Sequence, residues 1–151
     1  MAMSRLGHRT EVLTLDDPSS NWLRSFPLPI HALGPGTRRY GYTPQLVPWL
    51  RQNHKRYDAV VVHGLWNYAS FGSWRALHGT ATPYVLFTHG MLDPWFRDAY
   101  PVKHLLKSAF WLAFEGKVLR DAATVLFTTE EERLLARGVF PGYKYTETVV
   151  A

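Results

Sequence analysis

The chain has 151 residues, a length typical of one domain with a substantial core. Hydrophobic residues make up 46% and charged residues 19% of the composition, which argues against disorder. The absence of cysteine excludes disulfide bonds, thiolate nucleophiles and cysteine zinc sites. The longest strictly apolar stretch, residues 109–114, is far shorter than the roughly 20 residues of a membrane span, so we expect a soluble cytoplasmic domain.

The predicted elements alternate between strands and helices along the chain. The first half predicts a helix end at 1–6 capped by Gly7, a strand at 11–15, a turn-rich loop at 16–26, a strand at 29–33, a loop at 34–41 and a helix from Thr43, as N-cap, to about His54. The second half predicts strands at 59–62, 84–88, 124–127 and 147–150, and helices at 69–78, 101–121 and 129–137. This alternation predicts an α/β fold with a doubly wound, mostly parallel, Rossmann-like sheet.

Two of the predicted strands end in the same pair of residues, a histidine followed by a glycine. The strand at 59–62 leads into His63-Gly64, and the strand at 84–88 leads into His89-Gly90. Both runs are apolar at nearly every position, which is typical of strands buried on both faces of a parallel sheet. Because ligands bind beyond the carboxyl ends of parallel strands, the two histidines predict a shared site.

Each of these residue patterns also has a structural interpretation. A histidine at a strand end is often hydrogen-bonded in a structural role, and no carboxylate lies at a spacing that would complete a metal site with the two histidines. Thr129 and Glu132 have the spacing of a capping box, so helix capping is their first expected role.

The charge pattern leaves two interpretations open. The net charge of +5 fits an anionic partner, but the basic residues form no long run, so we do not expect nucleic-acid binding. In the predicted helix, residues 102–119 alternate lysines with Leu, Phe and Trp, as in a helix on a membrane surface or one packed on a core. We favour core packing for this stripe and keep peripheral membrane contact as the alternative.

The predicted order lacks the strand with which a doubly wound domain normally begins. The sequence starts within a predicted helix, and its last predicted strand, at 147–150, is followed by one residue. We therefore expect residues 1–151 to be a single partial domain, a fragment of a longer ancestral chain.

Residues 57–68, 83–95 and 126–132 carry the two His-Gly turns and the third strand end. Together they resemble the N-terminal, acceptor-side half of a family 4 glycosyltransferase of the two-Rossmann-domain (GT-B) fold, and the resemblance extends over residues 7–150. It implies a retaining enzyme that moves a sugar from a nucleotide-sugar donor to a glycan or lipid-linked acceptor. The donor would bind mainly to a second domain that this sequence lacks, so we expect no cofactor here and no transfer by the chain alone.

The resemblance also implies roles for individual residues. His89 would be the catalytic group, acting by hydrogen bonding or electrostatics near the reacting sugar. The residues implied to bind the acceptor are His63, Gly64, Trp66, Asn67, Gly90, Met91, Asp93, Trp95, Thr129 and Glu130. No metal ligand is expected. The expected partners are a sugar or lipid-linked acceptor and, in the full-length parent, a nucleotide sugar, with a cytoplasmic location and a second option peripheral to the inner face of the membrane.

Two other functions remain open from the sequence. One is a Rossmann domain of another kind, such as that of a dehydrogenase or sugar epimerase, although neither G-x-G-x-x-G nor G-x-x-x-x-G-K-[ST] occurs in the chain. The other is a non-catalytic remnant that binds a partner or nothing.

Overall fold

A computed structural model describes residues 5–150 of the chain. The strands are β1 Val12–Thr14, β2 Ile30–Ala32, β3 Val60–His63, β4 Tyr84–Phe87, β5 Thr124–Phe127 and β6 Glu147–Val149. The α-helices are α1 Leu46–Asn53, α2 Tyr68–Leu77, α3 Trp95–Ala99, α4 Pro101–Phe110, α5 Gly116–Asp121 and α6 Glu130–Ala136. Short 3-10 helices cover Asn21–Ser25 and His54–Arg56, and a π-helical turn, Trp111–Glu115, joins α4 to α5. The helix predicted at 1–6 lies mostly outside the described residues.

The strands form parallel sheets flanked by helices, which confirms the predicted Rossmann-like α/β class. Strands β3, β4, β5 and β6 make one four-stranded sheet in that order, and β1 and β2 pair in a two-stranded sheet. All of these pairings are parallel. In the larger sheet His63 stands opposite Phe87, and Phe87 stands opposite Leu126. The carboxyl ends of β3, β4 and β5 therefore meet at one edge.

The sheet is less completely buried than the apolar runs predicted. Residues of β4 and β5 alternate between buried and half-buried, whereas β3 exposes His63 and leaves Val61 51% exposed. The buried side chains Val62, Leu86 and Val125 form the centre of the core. Helices α1, α2 and α5 cover that core, so the helical layer holds the strand ends in fixed relative positions.

Two predicted helix features differ in detail. Helix α1 begins at Leu46 and not at the predicted Pro44, and Gln45 is its N-cap. The Thr43 hydroxyl still accepts the Gln45 N–H at 3.3 Å, the hydrogen bond expected of the predicted N-cap, and it also donates to the Leu33 carbonyl at 2.6 Å. The short helix α3 lies between the strand predicted at 84–88 and the helix predicted from 101, where sequence reasoning gave no helix.

The predicted helix over 101–121 is observed as one continuous helical run, in which the turn Trp111–Glu115 is π-helical and the rest is α-helical. Its second half packs as predicted, with Trp111, Val118 and Leu119 at most 1% exposed. Its first half does not, because α4 has no buried residue. Core packing is therefore the wrong interpretation for Val102, Leu105 and Leu106 of α4, which are exposed, whereas Phe110 at its end packs near Tyr40 and Trp66. No helix in the described part of the chain combines the length and the apolar character needed to cross a membrane.

Candidate functional site at the carboxyl edge of the sheet

The two histidines of the His-Gly turns are in direct contact. The Nδ1 atom of His63 lies 2.9 Å from Nε2 of His89, within hydrogen-bond distance, and the two rings stack with centroids 5.2 Å apart. The Phe87 ring stacks on His89 at 4.5 Å and lies nearly parallel to the His63 ring at 5.9 Å. Phe87 thus provides an apolar support for both imidazoles.

The backbone of both turns has left-handed conformations that present the two histidines to solvent. His89 has a φ of +50°, which is uncommon for a residue with a side chain, and Gly64 has a φ of +84°. The Gly64 N–H donates to the Phe87 carbonyl at 2.8 Å, which extends the β3–β4 pairing into the turn. Both histidines are exposed, so their outward edges face the solvent.

The histidine pair can offer one donor and one acceptor to a ligand. In a neutral pair, one of the two facing nitrogens carries the shared proton and the other accepts it. In either tautomer, the two outward nitrogens, Nε2 of His63 and Nδ1 of His89, are then one N–H donor and one acceptor. The His63 ring is partly shielded from water by its neighbours. This partial burial, with a smaller electrostatic contribution from His89, lowers the pKa of His63 and favours its neutral form. A sugar hydroxyl, which both donates and accepts, matches this pattern.

The first His-Gly turn is fastened to the second through Met91. The Leu65 N–H donates to the Met91 sulfur at 3.1 Å, and the Trp66 indole N–H donates to the Met91 carbonyl at 3.4 Å. Asn67 caps α2 by accepting the Ser70 N–H at 3.2 Å, and so fixes where the first turn ends. Met91 and Asn67 thus stabilise the turn that carries His63.

The Trp66 indole lies within an aromatic cluster and not at the edge of the site. Its ring contacts those of Phe140 at 5.2 Å and Trp111 at 6.2 Å. The Lys107 ammonium lies 4.8 Å from the centre of the same ring, in cation–π geometry. These contacts give Trp66 a packing role, and its predicted contact with an acceptor stays a prediction.

Asp93 and Trp95 lie in the segment that follows the second His-Gly turn. The Asp93 carboxylate accepts the Trp95 N–H at 2.8 Å at the start of α3. The Trp95 side chain is 58% exposed and meets the Tyr100 ring edge-on at 6.0 Å. Both side chains lie on the surface.

Glu132 joins the second and third strand ends, a role that sequence reasoning did not assign to it. One carboxylate oxygen accepts the Thr88 hydroxyl and the Gly90 N–H, both at 2.7 Å. The other accepts the Thr128 N–H at 2.8 Å and its hydroxyl at 2.7 Å. Burial raises the pKa of Glu132, but these hydrogen bonds outweigh it and hold the pKa below its ordinary value.

Thr129 and Glu130, the two site residues predicted at the third strand end, make contacts within α6. Thr129 is the N-cap of α6, and its hydroxyl accepts the Glu132 N–H at 3.0 Å, as the capping box predicts. Glu130 pairs with Arg133, which lowers the pKa of that carboxyl. The capping-box spacing was the signal that could have drawn attention to Glu132.

Glu115 is a buried carboxyl beneath the first His-Gly turn. It is 0% exposed and ends the π-helical turn, a feature often found at functional sites. One oxygen accepts the Trp66 N–H at 3.2 Å, and the other has no hydrogen-bond partner in the described part of the chain. Burial raises its pKa to about 7, an effect that the neighbouring Ser70 hydroxyl and the Trp66 N–H only partly offset.

The described residues contain no group of three His, Asp or Glu side chains placed to hold a metal ion. What the edge provides is a pair of imidazoles on two turns whose backbone N–H groups are bound by Glu132, at Gly90, and by Met91, at Leu65. Such an arrangement can orient a hydroxyl group and exchange hydrogen bonds with it.

The sequence of the whole domain matches a known family. The family model described as a glycosyl transferase 4-like domain covers residues 1–150. The chain belongs to this family. The chain has no match among curated proteins or among solved structures. As a glycosyl transferase 4-like domain, it has the family that the His-Gly turns and the third strand end predicted.

Proposed function

We propose that this glycosyl transferase 4-like domain is the acceptor side of a retaining glycosyltransferase, with the histidine pair at the acceptor. The observation that carries the proposal is the contact of 2.9 Å between His63 and His89 at the edge where three strands end. Because the pair offers one donor and one acceptor, it suits a hydroxyl group of a glycan or of a lipid-linked sugar.

A neutral histidine pair also suits the chemistry of sugar transfer. Positive charge develops at the anomeric carbon while negative charge develops on the departing diphosphate, so catalysis depends on positioning and electrostatics. A neutral imidazole at the acceptor adds no positive charge beside the anomeric carbon and can still accept a hydrogen bond from the attacking hydroxyl. His89 is the proposed catalytic residue, and His63 sets its tautomer.

The nucleotide-sugar donor would bind mainly to a second domain in the parent enzyme. No glycine-rich phosphate-binding motif occurs in this chain, and the transfer needs donor and acceptor in one closed cleft. We therefore expect no turnover by the 151-residue chain. We further propose that the parent enzyme works in the cytoplasm.

Calorimetric titration of the chain tests this assignment. One panel holds sugar acceptors, namely methyl glycosides, disaccharides and a short-chain polyprenyl diphosphate sugar, and a second holds UDP-glucose and GDP-mannose. We expect binding from the acceptor panel alone, weakened by His89→Ala and unchanged by His8→Ala, which removes an exposed histidine elsewhere. Binding of a nucleotide sugar that His89→Ala leaves intact would contradict the assignment.

A further inference from the structure

Helix α4 turns its apolar face toward solvent. Val102 is 74%, Leu105 71% and Leu106 69% exposed, and Leu112 in the following turn is 50% exposed. With the exposed Ala109 these residues are spaced by three or four positions, so they lie on one side of the helix. We call Val102, Leu105, Leu106, Ala109 and Leu112 the outer stripe.

The opposite side of α4 faces the protein and carries His104 and Lys107 together with Phe110, which packs near Tyr40 and Trp66. The His104 ring stacks on Phe140 at 4.8 Å, and Lys107 reaches the Trp66 ring. Burial lowers the pKa of Lys107, as expected for an ammonium group turned toward the protein. An ordinary surface helix has the reverse orientation, with apolar residues inward and lysines outward. The outer stripe is therefore an apolar surface that the described fold leaves uncovered.

The charged residues within α4, Lys103 and Lys107, are of one sign. No Asp or Glu occurs from residue 99 to residue 114, and the whole chain carries a net charge of +5. Lys103 is exposed at the edge of the stripe, with its ammonium 4.5 Å from the centre of the Tyr100 ring. Tyr100 is 46% exposed, and amphipathic aromatic rings of this kind are enriched at membrane interfaces.

We propose that the outer stripe docks on an anionic lipid bilayer, with α4 lying flat in the headgroup region. Apolar side chains on one face, flanking lysine and nearby aromatic rings are the features of interfacial amphipathic helices. Lysine is depleted at protein–protein interfaces, so its place beside the stripe favours lipid over a protein partner. Anionic headgroups of the inner leaflet attract such cationic residues.

Co-sedimentation with vesicles tests the docking without any sugar. The probes are vesicles of phosphatidylcholine alone and vesicles of equal parts phosphatidylcholine and phosphatidylglycerol. The variant Leu105→Gln with Leu106→Gln removes the centre of the outer stripe, and these side chains are exposed, so we expect the variant to fold. The matched control is Leu134→Gln with Leu135→Gln on α6, which replaces two leucines that are 51% and 43% exposed.

We expect the chain to sediment with the anionic vesicles, and the Leu105 and Leu106 variant to lose about tenfold or more in partition coefficient, while the control does not. Lys103→Glu should reduce binding by about fivefold or more, and Lys55→Glu, on the exposed 3-10 turn, by less. Equal sedimentation of both leucine variants, or no binding to anionic vesicles, would overturn the proposal. So would concentration-dependent self-association in analytical ultracentrifugation that only the Leu105 and Leu106 variant abolishes, since the stripe would then join two copies.

The vesicle assay tests the docking proposal, and the calorimetric titration tests the proposed function, so each can fail without the other. Vesicle binding by a chain that binds no acceptor sugar would leave the docking surface standing and would refute the proposed function alone.

Discussion

Replacing Glu115 with glutamine should remove a pH dependence that this buried carboxyl gives to the stability of the fold. Glu115 is 0% exposed, and one of its oxygens has no hydrogen-bond partner within residues 5–150. Burial therefore favours the protonated form in the native state. The unfolded chain, in which the carboxyl is hydrated, has no such preference.

The direction and size of the effect follow from the raised pKa. The pKa of Glu115 rises from 4.5 to about 7 on folding, so the native state holds a proton that the unfolded chain releases between those two values. The stabilisation is fully present below pH 4.5 and is lost as the pH rises through about 7. At about 1.4 kcal/mol for each pKa unit, the loss amounts to about 3 kcal/mol.

Urea unfolding of the wild type and of Glu115→Gln between pH 4.5 and pH 8 measures this effect. Other groups titrate equally in both proteins, so the difference between the two free energies of unfolding isolates Glu115. We expect this difference to move in favour of the glutamine variant by about 3 kcal/mol as the pH rises. The variant Glu131→Gln, which changes an exposed carboxylate on α6, is the control and should follow the wild type. A Glu115→Gln curve parallel to the wild type at every pH would refute the reasoning.

Two further substitutions test the supports of the site. Glu132→Gln replaces one of the two oxygens that together accept four hydrogen bonds, and should lower the free energy of unfolding by about 2 kcal/mol, more than Glu131→Gln. An unchanged urea midpoint would show that Glu132 does not join the two strand ends. Gly64→Ala places a Cβ in a left-handed residue, 3.3 Å from the Asn67 side chain, and should cost about 1–2 kcal/mol by the same assay. Gly79→Ala has a similar φ of +75° but open space around the new Cβ, so an equal or larger loss there would contradict the contact at Gly64.

The periodic features of the sequence predicted most of the fold. The strand at 124–127 is found at its predicted bounds, and Thr129 caps α6 as its spacing indicates. These features depend on local propensity and on burial patterns that repeat along the chain. The predicted start of α1 differs by two residues from the observed one, and the bond from the Thr43 hydroxyl to the distant Leu33 carbonyl is a contact that no local pattern reveals.

The sequence predicted that His63 and His89 lie at one edge of the sheet, but it did not predict the contacts that hold their turns. Parallel strands bring their carboxyl ends to one edge, so the meeting of His63 and His89 follows from topology. The roles of Glu132 and Glu115 depend on contacts across 42 and 49 residues of sequence, which spacing alone does not encode. The stripe on α4 was misjudged for a related reason. An amphipathic pattern shows that a helix has an apolar side, but only the tertiary structure shows which way that side faces.

Long-range proton–nitrogen NMR spectra of the histidine rings test the shared acceptor site most directly. In the free chain at neutral pH, Nδ1 of His63 and Nε2 of His89 should differ, one protonated and the other not, because they share one hydrogen bond. An acceptor sugar should shift the outward nitrogens of both rings together, while UDP-glucose should leave them unchanged. Rings that respond to UDP-glucose and to no acceptor sugar would contradict a shared acceptor site.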